Sequence, residues 1–507
     1  MKRLSLLLCS TMYIIAAQPL IAQNITYSVV HSETARDANF EILGRVGSNF
    51  VVFKNIRDKN IIQVFDKDMT ELSNERLKEI PDKILNVDFV TYPDYFLMVY
   101  QYKRNGILYC EAMKMDAMGK MMAPVLKIDT TRIGILSGTD IYSTIFSEDK
   151  KYVLVYKLQE KNEQLHVVTK LYNQDLQLQD STRSLVPFNE RRELFSPFQI
   201  ANDGTIFFTK EIKPNSRENI EELEVITNKL RSNSFRSTAI NLQNKFIDGV
   251  QIKIDNRNNN YIINSFYYQS KRSGSIEGLF SALLSKETDS IKAVFNRFDD
   301  SLRYKINSSS QFRYAFDNLF LRNTFVKRDG GYVLVAEDYS TQSLGNNNSW
   351  NRWDYLYGNP YTMGDSYYNW NSPYYRYNRF NSFNNARSVR YYYDNILIMS
   401  IDSSLKISWS NVILKKQTDD DDDSFLSFGT MNVGGEINFL YIEKERNTQT
   451  ISNQSISTYG KLYRYPTLKT RERGYQFMPR LAKQVGARQM IVPCVYRGNL
   501  CFAKVDF

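Results

Sequence analysis

A short apolar run recurs eight times along the chain, and this recurrence constrains the fold more than any other feature of the sequence. Its clearest copy is residues 151–158, Lys-Tyr-Val-Leu-Val-Tyr-Lys-Leu, which follows the turn 148–150. Each copy follows a turn rich in Asp, Asn or Gly and precedes another apolar strand, a pattern typical of antiparallel sheets. The other seven copies are residues 49–53, 94–100, 204–209, 260–265, 330–335, 435–441 and 488–496.

The copies fall into groups of four predicted strands. The first two groups comprise 40–46, 49–53, 61–65 and 77–80, then 85–92, 95–102, 107–115 and 122–128. Later groups begin near Ile141, Pro197, Val250, Leu321, Phe425 and Arg480. The starts at Ile141, Pro197 and Val250 are 56 and 53 residues apart, and the 104 residues from Leu321 to Phe425 include a 53-residue insertion, 341–393. A period slightly above 50 residues predicts an all-β fold, a β-propeller of eight, alternatively seven, four-stranded blades.

The eighth group has only three strands, 481–485, 490–496 and 499–507. Strand 25–30 has no partner next to it in sequence, so we expect it to supply the fourth strand. Pairing the two ends of the chain in one blade closes the ring and removes free sheet edges. Pro493 fits poorly, because a proline in the middle of a strand requires a bulge or an edge position.

An outer-membrane barrel is the competing architecture for a Tyr-rich chain that ends in Phe507. Barrel strands alternate between lipid-facing and lumen-facing residues. The second strands of the groups, such as 50–53 and 95–100, are instead apolar at consecutive positions. Because such strands suit sheets that are covered on both faces, the sequence favours a propeller.

A second mark follows the third strand of several groups. An Asp or Asn comes directly after or at the end of the strand, and Met, Gly or Leu follows three residues later, at 66–69, 116–119, 173–176 and 402–405. Carboxylate ligands are one interpretation. The recurrence favours a turn in which the side chain bonds to its own backbone.

The first 22 residues predict a removable export signal, which leaves 23–507 as a single propeller domain. Lys2 and Arg3 precede an apolar stretch, 4–17, and Ala22 ends a plausible cleavage site. The apolar stretch is too short to span a bilayer, and no later segment is apolar enough to cross one as a helix. Signal removal lowers the formal net charge from +10 to +8. This mild excess has no dense Lys/Arg stripe, so we expect no nucleic-acid partner.

Three cysteines remain after signal removal, and two of them are predicted to face each other. A tight turn at Arg497-Gly498 places Cys494 opposite Cys501. An oxidising compartment favours a disulfide between them, whereas two buried thiols are the alternative. Cys110 is expected to be a buried free thiol.

By its repeat spacing, the mature chain resembles the β-propeller superfamily, and specifically exported propellers of Gram-negative bacteria. The resemblance implies a location in the periplasm or on the outer surface of the cell. The Trp-Asp, kelch and sialidase marks of better-defined propeller families are missing, so no functional residue follows from it.

The sequence contains little that indicates catalysis, and we predict no catalytic residue, metal or cofactor. His31 and His166 are the only histidines, and they lie far apart. No Gly-x-Ser-x-Gly motif is present. Five consecutive Asp, 419–423, lack the alternating ligands and the turn glycine of a calcium loop. Pairing with the arginines of the insertion, or solvation, is the better interpretation of this run.

The insertion 341–393 is the most distinctive segment. It holds eleven of 35 Tyr and three of four Trp, interleaved with Asn and Arg. Such side chains can stack on sugars or anchor a protein, while a partly disordered low-complexity loop is the alternative. The candidate binding residues are Trp350, Trp353, Tyr355, Tyr357, Tyr367, Tyr368, Trp370, Tyr374, Tyr375 and Arg376.

Blade topology predicts which loops lie together. In a four-stranded blade, the second-to-third loop and the connection to the next blade leave from the same side of the ring. The insertion and residues 419–423 should therefore be neighbours, and the long loops 213–220, 269–278 and 443–455 should share their side. We expect a non-catalytic binding or scaffold propeller that recognises a polysaccharide or an envelope protein there. The alternatives are a glycan-cleaving envelope enzyme with carboxylates at the central channel, and a structural subunit of an outer-membrane assembly.

Overall fold

The structure is a computed structural model that describes residues 24–133, 141–161, 163–189, 191–215, 218–232, 234–272, 274–311, 314–343, 352, 356, 389–420, 423–445, 448–468 and 474–507. In these residues, 36 strands form eight antiparallel sheets, and each sheet is one blade. The prediction of an all-β propeller with eight blades is confirmed, and the seven-bladed alternative is wrong.

The strands follow the chain blade by blade. β1 (Asn24–Tyr27) precedes the first blade. Blades one and two contain β2 (Ala38–Val46), β3 (Asn49–Ile56), β4 (Lys59–Phe65), β5 (Glu71–Arg76), β6 (Asn86–Thr91), β7 (Tyr95–Arg104), β8 (Ile107–Asp116) and β9 (Leu126–Arg132). Blades three and four contain β10 (Tyr142–Phe146), β11 (Tyr152–Lys161), β12 (Gln164–Asn173), β13 (Leu178–Pro187), β14 (Glu193–Phe195), β15 (Gln199–Ile200), β16 (Ile206–Ile212), β17 (Glu222–Asn228) and β18 (Arg236–Ile240).

The second half of the chain repeats this arrangement. Blades five and six contain β19 (Phe246–Ile247), β20 (Gln251–Asp255), β21 (Asn260–Tyr268), β22 (Gly278–Ser285), β23 (Ile291–Arg297), β24 (Leu319–Val326), β25 (Tyr332–Ser343), β26 (Val389–Ile401), β27 (Ile407–Ile413) and β28 (Thr418–Asp420). Blades seven and eight contain β29 (Phe428–Val433), β30 (Glu436–Glu445), β31 (Thr448–Ile456), β32 (Leu462–Arg464), β33 (Tyr475–Phe477), β34 (Lys483–Gly486), β35 (Gln489–Tyr496) and β36 (Asn499–Asp506). The helix α1 (Asp300–Ser309) lies between blades five and six.

Consecutive blades pack face to face through large apolar side chains. The second strands, such as β3 and β35, are buried along most of their length because a neighbouring blade covers each of their faces. Phe207 of blade four stacks on Tyr261 of blade five with ring centroids 4.2 Å apart. Phe502 of blade eight contacts Phe40 of blade one at 5.6 Å. The packing therefore continues from the last blade to the first.

The ring closes through the amino-terminal strand. β1 pairs antiparallel with β36, with Ile25 opposite Val505. Thr34 then forms a bridge with Asn499. Because β1 is the outermost strand of blade eight, both ends of the described chain lie in one sheet, and the predicted closure is confirmed.

One predicted fourth strand was misplaced and another began too early. The outer strand of blade one is β5 rather than 77–80, and β9 of blade two begins at Leu126 rather than at Met122. Leu77 and Ile80 are buried in the connection that follows β5, in the core between blades one and two. An outer strand such as β5 is partly exposed and therefore polar in sequence. The apolar residues at 77–80, which suggested a strand, belong instead to the connection between blades one and two.

Pro493 is accommodated without a bulge. It lies opposite Phe502 in an unbroken register between β35 and β36. Tyr496 and Asn499 flank a two-residue turn and therefore form a hydrogen-bonded pair. Bonded and non-bonded pairs alternate along an antiparallel hairpin, so Pro493 and Phe502, three pairs further on, form a non-bonded pair. The other edge of Pro493 lies at the break between β33 and β34, where its carbonyl accepts a bond from the Met478 N–H at 2.9 Å. No ladder bond is lost, and the expected bulge is absent.

The turns after the third strands are structural, as their recurrence predicted. The side-chain oxygen of Asn173 accepts bonds from the backbone N–H groups of Asp175 and Gln177 at 3.0 and 2.9 Å. Asp66, Asp116 and Asp402 each accept the equivalent two bonds. The residue three positions later has a positive φ at Met69, Gly119, Leu176 and Leu405.

Candidate functional site

The second-to-third loops and the blade-to-blade connections emerge on one side of the ring, which we call the loop face. It is most elaborate between blades four and seven, where it consists of 213–220, 241–250, 269–278, 298–318, 414–427 and the insertion 341–393. The prediction of a further long loop at 443–455 is wrong, because these residues belong mainly to β30 and β31. Contacts between these segments, described below, hold the loops of successive blades together.

The acidic connection lies directly beside the base of the insertion. β28 pairs with β26, which places Asp420 opposite Arg390. The Arg390 guanidinium donates from Nε to Asp420 Oδ1 at 2.6 Å and from Nη2 to Oδ2 at 3.0 Å. The hydrogen bonds to Asp420 raise the pKa of Arg390. The prediction that this run neighbours the insertion is confirmed, as is its pairing with an arginine of the insertion.

Arg352, within the insertion, is anchored in blade five. Its Nε donates to Asp248 Oδ2 at 2.5 Å and its Nη2 to Oδ1 at 3.1 Å. Its Nη1 also donates to the carbonyl of Leu319, and the guanidinium lies over the Phe320 ring, 4.4 Å from the centroid. The Tyr268 hydroxyl donates to Asp248 as well, at 2.5 Å. Arg352 and Asp248 are both buried, so this is an interior ion pair that ties the insertion to the neighbouring blade.

The loops of blades four and five are joined in the same way. Glu218 is buried, and its Oε1 accepts a bond from Arg272 Nε at 2.8 Å. The backbone N–H of Asn219 donates to the carbonyl of Lys271 at 2.8 Å. With the Arg352–Asp248 pair, these contacts connect the loops of three successive blades.

A fully buried ion pair fixes the connection from blade six to blade seven. Lys415 Nζ lies 2.8 Å from Glu337 Oε1 and also donates to the Tyr393 carbonyl at 2.8 Å. Burial lowers the pKa of Lys415. Ser427 donates to the second Glu337 oxygen at 2.8 Å. Both ends of the 414–427 segment are thereby bound to β25.

Helix α1 completes the loop face between blades five and six. Asp299 caps its amino terminus by accepting from the Leu302 N–H at 2.6 Å. At its carboxyl end, the Ser310 hydroxyl lies 2.9 Å from Asp338 Oδ2 and 2.8 Å from Asp394 Oδ2. Burial, and to a lesser extent the nearby Asp394, raise the pKa of Asp338 well above its usual range.

Three large apolar side chains are exposed on the loop face. Tyr304 of α1, Tyr314 after it and Leu414 of the next connection are 75, 62 and 51% exposed. The loop face therefore combines a framework of buried ion pairs with exposed aromatic and aliphatic surface, a combination typical of recognition surfaces.

The ten predicted binding residues lie outside the described part of the chain. They are Trp350, Trp353, Tyr355, Tyr357, Tyr367, Tyr368, Trp370, Tyr374, Tyr375 and Arg376. The sequence singled out Arg352 and Arg390 only as arginines of the insertion. It did not indicate Asp248 or Glu337, whose only sequence signal is an acidic residue at the end of an apolar segment.

The remaining predicted positions are structural in character. His31 Nε2 lies 2.6 Å from Glu71 Oε2, and His166 lies within β12. Cys494 and Cys501 are directly opposite in the β35–β36 hairpin, with their Sγ atoms 3.0 Å apart and unbonded. Cys110 is a buried free thiol. In the described ranges, no group of three or more His, Cys, Asp or Glu side chains is arranged to hold a metal ion.

No helix in the described residues has the length and apolar character needed to cross a bilayer. No protein-family model matches the sequence. No curated protein matches it either.

Several solved structures resemble the chain at low identity. They include the WD40 domain of SCAP from fission yeast, with 9% identity and a TM-score of 0.39 over 96% of this chain and 98% of that one. The polysaccharide lyase Uly1 has 10% identity and a TM-score of 0.40 over 82% of this chain and 89% of its own. Apo prolyl oligopeptidase B from Galerina marginata has 8% identity and a TM-score of 0.40 over 92% of this chain and 56% of its own. The strand order and register of its own eight sheets identify the chain as an eight-bladed β-propeller.

Proposed function

We propose that this protein is an exported, non-catalytic binding propeller that recognises a polysaccharide or an envelope protein through the loop face. The insertion 341–393 supplies the aromatic and arginine side chains that contact the partner, and the ring holds them in place. Export through the segment 1–22 brings the protein to the periplasm or the outer surface of a Gram-negative bacterium.

The observation that carries this proposal is the anchoring of the insertion by Arg352 in blade five. A buried ion pair is costly to form unless its geometry is good and its remaining hydrogen bonds are made, and both conditions hold around Asp248. A recognition segment that is already fixed in the free protein loses less conformational entropy when it binds its partner. The Glu218–Arg272 and Lys415–Glu337 pairs give neighbouring loops the same support.

The test removes the insertion while keeping the ring. β25 and β26 are still paired where they enter it, with Ser343 opposite Val389, so a short Gly/Ser turn can replace 344–388. The deletion also removes Arg352, so the variant carries Asp248→Asn to avoid leaving a buried carboxylate without its cation. We expect this variant to keep its β-sheet circular dichroism and cooperative unfolding, but to lose binding to isolated envelope polysaccharides and envelope proteins. Unchanged binding by the deletion variant contradicts the proposal.

Point substitutions sharpen the test. Replacing Trp350, Trp353 and Trp370 together by Ala is expected to abolish binding. Tyr459→Ala is the matched control, because Tyr459 is 91% exposed and lies in the β31–β32 turn on the opposite side of the ring. Equal losses in the two variants would point to a general effect of aromatic removal and count against the loop face.

The two alternatives make different predictions. A glycan-cleaving enzyme needs two carboxyl groups at a defined separation. The cavity that lies between the inner strands of blades one, six and seven and the inner segment of blade eight has one carboxylate, Glu41, among its lining residues. Release of sugar from envelope polysaccharides would nevertheless establish the enzyme. A structural subunit of an outer-membrane assembly would instead co-purify with that assembly regardless of added glycan.

A further inference from the structure

A cavity of about 260 Å³ lies on one side of the central channel. It is lined by the inner strands of blades one, six and seven and by the inner segment of blade eight. Its charged lining residues are Glu41, Arg322, Arg480 and Lys483. The residues that line the cavity belong to the blades and not to the insertion, so an occupant would be bound by the ring itself.

The two arginines are engaged by carboxylates. Arg322 Nε lies 3.4 Å from Glu337 Oε2. The Arg480 guanidinium donates to the Asp423 carbonyl at 2.8 Å and to the Tyr393 hydroxyl at 2.8 Å, and lies 3.3 Å from Asp423 Oδ2. Their charges are therefore largely balanced within the protein.

Lys483 and Glu41 are different, because neither side chain makes a hydrogen bond or an ion pair within 4.0 Å to any residue of the described ranges. Lys483 extends along β2, where its Cε lies 4.0 Å from the position that a Cβ on Gly44 would take. The two charges are close enough to influence each other, yet they do not pair directly.

The surroundings disfavour both charges. Burial raises the pKa of Glu41 to about 7, and Lys483 opposes this shift. Burial lowers the pKa of Lys483, Glu41 opposes the shift, and the nearby Lys150 adds to it. Lys483 is nevertheless exposed and Glu41 is half-buried, so a molecule in the cavity can reach both side chains. An anion beside Lys483 would stabilise its charged form.

We propose that this cavity binds a small hydroxylated carboxylic acid of the size of one sugar acid. The ligand carboxylate accepts hydrogen bonds from the Lys483 ammonium, and a ligand hydroxyl donates to the Glu41 carboxylate. The volume is at the lower end for ligand pockets, which suits a single ring rather than a chain. The inference goes beyond recognition at the loop face, since it concerns a different part of the ring.

The test is calorimetric titration of the mature protein at pH 8 with glucuronate, galacturonate, glucose and acetate. We expect saturable binding of at least one sugar acid and none of glucose. Lys483→Met should weaken that binding by about tenfold or more, because a charge-assisted hydrogen bond is lost. Glu41→Gln should reduce the preference for the sugar acid over acetate, because only the sugar acid offers a hydroxyl to Glu41.

Controls separate this site from folding effects and from the loop face. Lys461→Met removes a lysine from the β31–β32 turn and should bind as the unmodified protein does. Circular dichroism and thermal unfolding check that each variant is folded. The variant lacking 344–388 should retain sugar-acid binding. No binding of either sugar acid, or equal affinity in Lys483→Met, would overturn the inference.

Discussion

Arg352 and Asp248 form a buried, two-pronged ion pair that joins the insertion of blade six to blade five. The two residues are 104 positions apart in sequence. The pair is shared by two blades and one loop, so its loss should affect stability as well as recognition.

Arg352→Met should lower the free energy of unfolding by about 3–5 kcal/mol, because Asp248 would remain buried without its cation. Urea denaturation followed by tryptophan fluorescence and circular dichroism measures this change. Adding Asp248→Asn to the variant should recover part of the loss. Arg390→Met is the control, since its ion pair with Asp420 is exposed and should leave the midpoint unchanged. If Arg352→Met and Arg390→Met had the same urea midpoint, the Arg352–Asp248 ion pair would not contribute to stability as the structure indicates.

The buried carboxyl of Glu211 should cause the free energy of unfolding to fall as the pH rises above about 4.5. It is buried in β16, and burial raises its pKa to about 8, with the Thr209 hydroxyl and Lys213 opposing the shift and Asp248 adding to it. The folded state therefore holds a proton that the unfolded state releases, and the free energy of unfolding decreases across this window by at most ~1.4 kcal/mol per pH unit.

Glu211→Gln removes this titration, so the variant should gain stability relative to the unmodified protein as pH rises from 5 to 8. Denaturant titrations at several pH values measure the difference. Glu222→Gln, at an exposed position of β17, should keep the original slope. Parallel pH profiles for the unmodified protein and Glu211→Gln would show that the carboxyl is ionised in the folded state.

Asn173→Ala should lower the free energy of unfolding by about 1 kcal/mol or more, because the backbone N–H groups of Asp175 and Gln177 lose their acceptor. Asn173→Asp should keep both bonds, as Asp66, Asp116 and Asp402 do in the equivalent turns. Equilibrium unfolding of both variants measures the effect. Equal stability of the Ala and Asp variants would mean that the side-chain bonds contribute nothing.

Cys494 and Cys501 should be bonded in protein recovered from an oxidising compartment. They face each other in the hairpin, within the Cα separation that disulfides span. Thiol labelling in denaturant is expected to modify one cysteine, Cys110, before reduction and three after it. Protein made without residues 1–22 in a reducing compartment should show three free thiols, because disulfides do not persist there. Three labelled thiols before reduction of exported protein would exclude the bond.

The blade number and the closure of the ring could be predicted because they depend on local signals. The apolar second strands and the turns before them recur in every blade, and the unpaired strand at the amino terminus matches the missing strand at the other end. Outer strands such as β5 carry no apolar signal, so the sequence placed the fourth strand at Leu77 instead.

The framework of the loop face was less accessible to sequence reasoning. Its ion pairs connect residues that are tens of positions apart, such as Glu218 and Arg272, and each acid looks like an ordinary loop residue. Topology alone placed residues 419–423 beside the insertion, because strand direction fixes where each connection leaves the sheet. Lys483 and Glu41 were not associated, because the predicted ring closure brings blades eight and one together but does not fix which side chains of β34 and β2 face each other.

The position of β1 at the rim of the last blade has a consequence for biogenesis. A chain that emerges from a ribosome or a translocase with its amino terminus first presents Asn24–Tyr27 long before Asn499–Asp506 exists. β1 therefore has no partner strand while the first seven sheets form, and the ring closes only after Asn499–Asp506 has been synthesised. Any fragment that ends early is an open arc with an unsatisfied edge, which makes it a natural substrate for chaperones and proteases.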